Sequence, residues 1–368
     1  MTDRLRVVLL FGGRSSEHSI SCATAGGVLS AIDRERYDVI PVGITREGAF
    51  VLEADDASRF ALDPEALPEV LDNGTRVLWP DSTASRTLHV VNAAGERSSL
   101  GEIDLVFPIL HGPFGEDGTI QGMLELVGLP YVGSGVLASS LGMDKQFTKS
   151  VLQHSGIAVA PWLSLTSREW ASDSARVRAG IEPLGLPVFV KPARAGSSVG
   201  VTKVSHPDEL DAALALAFNE DDKVLIEAAV VGREVEIGVL GGRPGDAARA
   251  SSAAGEVIVT GRDFYDFEAK YLDAPGVELV CPADLTDEQL AEMQDLAVRA
   301  FDAIGGEGLA RVDFFLTEQG FVVNELNTMP GFTPISMFPT CWLNSGLSYP
   351  ELITELIEVA VARGTRVG

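Results

Sequence analysis

Arg311-Val312-Asp313-Phe314-Phe315 and Val323-Asn324-Glu325-Leu326-Asn327 bring a guanidinium, two carboxylates and amide oxygens close together in the chain. Both runs alternate polar residues with β-branched or aromatic ones, and Thr317-Glu318-Gln319-Gly320 between them is a turn ending on glycine. The spacing therefore predicts a β-hairpin. With Glu318-Gln319-Gly320 as a three-residue loop and Gly320 left-handed, Asp313 faces Glu325 and Arg311 faces Asn327. A four-residue loop would instead set Asp313 against Asn324; glycine in third place favours the first register. Directly opposed carboxylates lie only ~5 Å apart at Cβ and repel unless a cation sits between them. Hard oxygen ligands of this kind suit Mg²⁺. An edge hairpin with a solvated polar face would carry the same pattern without an ion.

The elements that must position this hairpin are spread over 368 residues, which suggests two or three domains. A hydrophobic content of 46% is enough to fill each core. The formal charge of −25 argues against nucleic acid or an anionic membrane as a partner, since both select basic surface. A small anionic substrate would need a local basic pocket. Of only six lysines, Lys145, Lys191 and Lys270 lie inside or beside motifs rich in glycine, serine or aromatic residues. Cys22, Cys281 and Cys341 fit neither a disulfide framework nor a zinc spacing and read as buried or incidental thiols. The apolar run from Val7 to Phe11 is too short for a signal-peptide core, and no segment reaches the roughly 20 apolar residues of a membrane span. A cytoplasmic protein is expected.

Arg6 to Phe11 reads as a strand, Gly12-Gly13 as a tight turn, and Ser15 or Ser16 as the cap of a small-residue helix running to about Ala31. Further strands fit Val39 to Ile44 and Leu105 to Leu110, and a helix fits Thr119 to Val127. The stretch from Ala54 to Gly101 reads as loops and accessory structure. A second unit opens on a helix holding Asp144-Lys145, with strands at Pro187 to Lys191, Val199 to Val204 and Lys223 to Glu227, and a helix from Ser205. Glu234 to Leu240 alternates as a half-buried strand does. Ser251 to Pro282 is long and weakly periodic, as functional or disordered loops are. Thr286 and Gln289 form a capping box before a core stripe of Leu290, Met293, Ala297, Phe301 and Ile304. The expected architecture is α/β (α+β) in three domains: 1–139 with a parallel sheet, 140–229 small and α+β, and 230–368 with the hairpin and a lid loop at about 251–282.

Gly196-Ser197-Ser198-Val199-Gly200 matches the G-x-S-x-G esterase pattern, but that elbow needs a helix after the turn and a catalytic histidine last. Here a strand follows and His206 is the only later histidine. A flexible loop whose amides wrap phosphate oxygens, with Lys191 at its root, fits better. No G-x-x-x-x-G-K-[ST] occurs, so a Walker site is excluded.

Lys145, Lys191, the Glu227-to-Glu234 hinge and Asp313/Glu325/Asn327 resemble, in order and spacing, an ATP-grasp ligase. Phe11 to Ser21 (FGGRSSEHSIS), His111 to Gly118 (HGPFGEDG), Phe264 to Tyr271 (FYDFEAKY) and Asn324 to Ser336 resemble the D-alanine:D-alanine ligases in particular, from about residue 5 to 360. Ala228 and Ala229 depart from the lysine and aromatic of many relatives, which implies a more open adenine pocket.

The resemblance implies ATP and hard cations, two Mg²⁺ with Mn²⁺ as a substitute, held by Asp313, Glu325 and Asn327. Lys145, Lys191, Ser197 and Ser198 would hold phosphates, Glu227 the adenine amino group and Glu234 the ribose. Arg311 and the N–H of Gly331 would form the oxyanion site. Glu17 would anchor the first substrate's ammonium, with His111 beside it. Ser336 and the backbone at Met337 would take the second substrate's carboxylate, with Lys270 reaching in from the lid. Tyr271 would latch against Glu17 and Ser197 when the lid closes over an acyl phosphate that must be shielded from water. The implied reaction is ATP-dependent joining of two D-alanines for peptidoglycan, by a homodimer. The rivals are a D-alanyl-D-lactate or D-alanyl-D-serine ligase and, in a different class, a catalytically dead nucleotide-binding protein. The choice of D over L amino acids rests on the resemblance alone.

Overall fold

The computed structural model describes residues 4–63, 66–260 and 276–365. Strand β1 (Leu5–Gly12) is buried from Val7 onward, as a central parallel strand covered on both faces must be. It pairs in parallel with β2 (Tyr37–Ile44), and β3 (Phe50–Leu52) adds antiparallel to β2. The next three strands, β4 (Arg76–Leu78), β5 (Thr87–Val91) and β6 (Arg97–Glu102), form a separate antiparallel sheet. The accessory structure expected between Ala54 and Gly101 is therefore partly this sheet. Its Val77 and Leu88 are buried against Val8 and Leu10 of β1, which the short, polar-flanked strands did not reveal. β7 (Leu105–Pro108) returns to the first sheet on the far side of β1, in the order β3-β2-β1-β7.

β8 (Trp162–Thr166), β9 (Val188–Pro192), β10 (Thr202–Val204) and β11 (Lys223–Ala228) make a second, all-antiparallel sheet in the order β10-β9-β11-β8. The helices Ser174–Ile181 and Leu210–Glu220 fill its core with Val177, Ile181, Leu210 and Leu214. β12 (Arg233–Leu240), β14 (Gly255–Val259), β15 (Val277–Val280), β16 (Leu309–Thr317) and β17 (Gly320–Asn327) make the third, with β13 (Arg249–Ala250) on β12. Within the long segment 251–282, residues Gly255–Val259 and Val277–Val280 are thus strands. β14 and β15 pair antiparallel, and the Thr260 N–H donates to Gly276 O at 2.7 Å where they end. The capping box at Thr286 and Gln289 forms, and Met293, Ala297 and Phe301 of the helix Asp287–Ala303 are buried under the third sheet.

Two of the cores join segments distant in the chain. Leu352, Ile353, Leu356 and Ile357 of the helix Tyr349–Arg363 share a core with Val7, Leu9 and Phe11, so the end of the chain closes the first sheet. Leu152 and Ile157 pack with the third sheet, whereas the second sheet's own core begins at Leu163 and Leu165. The apolar face of the helix Lys145–His154 is what ties that helix to the third sheet.

Candidate active site

Gly12 and Gly13 leave β1 with φ of +87° and +100°, a backbone favoured only by glycine, and the Gly13 N–H donates to Ile44 O at 2.8 Å. The helix that follows (His18–Ala31) has Glu17 at its N-cap and neither Ser15 nor Ser16. Ser15 is used otherwise: its hydroxyl donates to His111 O at 2.6 Å and accepts from the Glu17 N–H at 3.2 Å. Glu17 is buried, and its carboxylate accepts a hydrogen bond from Ser197 of the Gly-Ser loop. A Cβ on Gly112 or on Gly196 would lie 2.7 Å from Glu17 Oε2, so two glycines make room for this one carboxylate. His111 is buried with Nδ1 3.2 Å from Met329 O and Nε2 3.4 Å from Thr24 Oγ1. Burial lowers its pKa although Glu17 pulls the other way, and both ring nitrogens face protein partners. Lys270 and Tyr271 lie outside the described residues, as does the whole of Phe264 to Tyr271.

The Gly-Ser loop between β9 and β10 turns on two successive left-handed serines, Ser197 at φ +51° and Ser198 at φ +58°. Consecutive residues in such conformations curl backbone N–H groups around an anion-sized hollow. Lys145 begins its helix and reaches Ala195 O of this loop at 2.7 Å. Below it, Glu227 on β11 is bracketed by Lys191 of β9 and by Lys149, whose Nζ is 2.5 Å from Glu227 Oε1. Burial would raise the Glu227 carboxyl, but Lys191 and Lys149 outweigh it and hold the pKa at about 2. A carboxylate depressed in this way stabilises the fold above its unfolded value near 4.5 and loses that contribution as pH falls toward 2. Acid unfolding monitored by circular dichroism should show Glu227→Gln less sensitive than wild type between pH 4.5 and 2, by on the order of 3 kcal/mol at most. Equal sensitivity would remove Glu227 from the acid response.

At the hairpin, Asp313 pairs with Glu325 and Arg311 with Asn327. The route to that register differs from the expected one. Thr317 pairs with Gly320, leaving a two-residue turn that on its own would set Asp313 against Asn324. A β-bulge between Asp313 and Phe314 absorbs Asn324 as an extra residue and moves Glu325 opposite Asp313. Glu236 of β12 pairs with Asp313 from the other side, so three carboxylates stand in one row across β12, β16 and β17. Arg311 resolves much of their repulsion. Its Nε and Nη2 donate to Asp313 at 2.6 and 2.7 Å, and Nε lies 3.0 Å from Glu236 Oε2. Burial opposes the guanidinium's charge, but Asp313 and Glu236 more than compensate. Opposed carboxylates therefore do not by themselves demand a metal, and among the described residues no three of His, Cys, Asp and Glu gather as a metal cluster. The oxygens of Asp313, Glu325 and Asn327 still form a hard donor set; Asn327 Nδ2 is 3.2 Å from Asp313 Oδ2, and turning that amide would present its oxygen instead.

Ser336 precedes the helix Met337–Asn344 without capping it by its side chain. Its hydroxyl bonds Thr333 Oγ1 at 2.7 Å and accepts from the Thr333 N–H at 3.2 Å. A Cβ on Gly331 would press on Ser336 Oγ at 3.2 Å. Glu17, His111, Lys145, Lys191, Ser197, Ser198, Glu227, Glu234, Arg311, Asp313, Glu325, Asn327, Gly331, Ser336 and Met337 all line one cavity of about 430 Å³ between the three larger sheets. That is the size of a small-molecule site.

Three further residues belong to the site and were not singled out from the sequence. Lys149 follows Lys145 by one helical turn, a spacing that puts both amines on one face. Glu236 was visible in the alternation of β12. Glu116, inside the HGPFGEDG motif, accepts from the Gly112 N–H at 2.5 Å, and burial together with Glu17 raises its pKa well above the ordinary carboxylate value. Cys22 and Cys341 are buried thiols, as expected; Cys341 Sγ donates to Glu236 O at 3.9 Å, and burial pushes Cys22 up to about 12.

A cavity clasped between two antiparallel sheets, with lysines on one and a carboxylate hairpin on the other, is the ATP-grasp arrangement. Solved structures agree over nearly the whole chain. The VanG D-Ala:D-Ser ligase from Enterococcus faecalis superposes with a TM-score of 0.82 at 33% identity, covering 97% of this chain and 100% of its own. The D-alanine-D-alanine ligase from Coxiella burnetii gives 0.80 at 33%, covering 98% and 95%. The family model described as D-ala D-ala ligase N-terminus matches residues 6–134, and the one described as D-ala D-ala ligase C-terminus matches residues 151–358. Proteins named D-alanine–D-alanine ligase from Paenarthrobacter aurescens and Kineococcus radiotolerans are 51% and 54% identical over 367 and 372 residues. These alignments cover 99% and 98% of this chain and 97% of each relative. The chain belongs to the D-Ala–D-Ala ligase family.

Proposed function

We propose that this chain is an ADP-forming ligase that joins two D-alanines into D-alanyl-D-alanine for peptidoglycan, by way of an acyl phosphate. The observation that carries the reading is the single cavity in which a buried carboxylate (Glu17), a phosphate-sized Ser197/Ser198 loop and the Arg311 hairpin meet. A carboxylate is a poor electrophile, so the first D-alanine must be phosphorylated before an amine can attack it. Glu17 pairs with the first substrate's ammonium, and Lys145, Lys191 and the serine loop position the phosphates. Glu227 takes the adenine amino group and Glu234 the ribose. Asp313, Glu325 and Asn327 are the residues that would hold Mg²⁺, one ion or two, whose chemistry when bound is to neutralise phosphate charge. Arg311 and the Gly331 N–H stabilise the oxyanion as the second amine attacks, and the first turn at Ser336 and Met337 receives the second carboxylate. Lys270 and Tyr271 act from the segment between β14 and β15. His111 acts on the first subsite mainly by fixing the loop around Glu17, given its two protein partners.

Three units, 1–139, 140–229 and 230–368, cytoplasmic location and a homodimer complete the reading. The absence among the described residues of any helix long and apolar enough to cross a membrane is compatible with it. The D-serine alternative is kept in view by VanG, but the curated relatives at 51–54% identity carry the D-alanine name.

The test is phosphate release from ATP and Mg²⁺ with D-alanine, L-alanine, or D-alanine mixed with D-lactate or D-serine, products identified by mass. Phosphate matched by D-alanyl-D-alanine, with silence for L-alanine, is the expected result; a depsipeptide or D-alanyl-D-serine as main product would reassign the second subsite. A narrower expectation concerns Gly196→Ala, whose Cβ would meet Glu17 Oε2 at 2.7 Å. Displacing that carboxylate should cut kcat/KM for D-alanine by about 10- to 100-fold with little change in Tm. Unaltered kinetics would mean that Glu17 is not held where the first substrate needs it.

A further inference from the structure

We propose that Lys149 is a positioning residue that sets the nucleotide carboxylate Glu227 and the bulge at Asn324 from beneath the cavity. The inference rests on the ligase reading of the site and goes beyond it in naming what holds its two halves in register. Lys149 is only 2% exposed, in the helix Lys145–His154 packed on the third sheet. Its Nζ lies 2.5 Å from Glu227 Oε1 on β11 of the second sheet and 3.3 Å from Asn324 O on β17 of the third. Asn324 is the extra residue whose insertion moves Glu325 opposite Asp313. One ammonium therefore joins Glu227 to the bulge that creates the carboxylate pair.

The charges give the same residue a second consequence. Glu227 is shared by Lys149 and Lys191, and Lys191 is the more exposed at 17%. With both lysines the cluster carries one net positive charge, so Lys191 keeps field to spare for phosphate. Without Lys149, Glu227 would neutralise Lys191, and the cavity of a chain with formal charge −25 would lose a cation it needs. Lys149, 2% exposed and held between Glu227 and Asn324 O, is more enclosed than Lys191 at 17%.

The experiment compares wild type, Lys149→Met and Lys149→Arg by calorimetric titration with ADP in EDTA, by turnover as a function of Mg²⁺, and by thermal melting. Lys149→Met should weaken ADP by about 10-fold or more without metal and raise the Mg²⁺ concentration for half-maximal turnover several-fold. Turnover at saturating ATP and Mg²⁺ should change far less, and Lys149→Arg should recover part of the loss. A lowered Tm with ADP affinity and Mg²⁺ dependence unchanged would show a purely structural lysine and overturn the proposal. If Lys149→Met does not fold, Lys149→Met/Glu227→Gln is compared with Glu227→Gln, neither leaving a buried unpaired carboxylate. A further rise in Mg²⁺ requirement in the double variant then supports the Asn324 contact, and no rise overturns it. Wild type that binds ADP but makes no dipeptide would sink the ligase reading and leave the ADP comparison for Lys149 standing.

Discussion

Glu325→Gln is expected to lower turnover by about a thousandfold or more while leaving the fold intact. Glutamine keeps the size of the side chain and the pairing of β17, and it removes one of the three charges in the row Glu236, Asp313, Glu325. Relief of that repulsion should hold Tm level or raise it slightly. The loss falls on catalysis because Glu325 lines the cavity with Asp313 and Asn327 and is one of the three proposed cation ligands. A missing metal ligand is worth several kcal/mol in the transition state, and each 1.36 kcal/mol is about tenfold in rate. Steady-state phosphate release with circular dichroism melting decides it. Near-normal turnover would remove the hairpin from metal binding, and collapse of the fold would make Glu325 structural.

Arg311→Met should damage both stability and activity. The guanidinium is enclosed, and its removal leaves Asp313 and Glu236, both buried, without their shared cation. Breaking one partner out of a buried charge network costs about 3–5 kcal/mol, enough to lower Tm by several degrees. Adding Asp313→Asn to Arg311→Met should restore part of that stability, since it removes one of the stranded charges, and should restore no turnover, since both groups serve the reaction. Arg311→Lys should regain stability better than activity, because an ammonium cannot reproduce the paired donors at 2.6 and 2.7 Å. A melting curve unmoved by Arg311→Met would mean that solvent or another cation already screens the row. Recovery of turnover in the double variant would end the oxyanion role.

Local pattern carried much of this. Alternation marked β12, β16 and β17, the Thr286 capping box and its apolar stripe marked a core helix, and Gly12-Gly13 marked the turn at the head of the first helix. The places where it failed have a common cause. Glycine at 320 pointed to a three-residue loop, but the two-residue turn and the compensating bulge depend on how β16 is held by β12 on its other edge. Ser15 has the chemistry of a cap, yet His111 O competes for its hydroxyl from a loop 96 residues away. The short strands β4, β5, β14 and β15 have little periodicity of their own and exist because a neighbouring strand or core completes them.

The sequence by itself determined the strands and helices with strong periods, the lysine and carboxylate motifs in their order, and through them the family. These are properties of residues near one another in the chain, where spacing is set by backbone geometry. Only the tertiary structure decided that Glu227 sits between Lys149 and Lys191, that Arg311 spends its charge on Asp313 and Glu236, that Ser197 reaches Glu17, and that the last helix closes the first sheet. Each is a contact between segments far apart in sequence, and its partner is chosen by burial: a charge or hydroxyl taken out of water must find whichever opposite group the packing brings within reach.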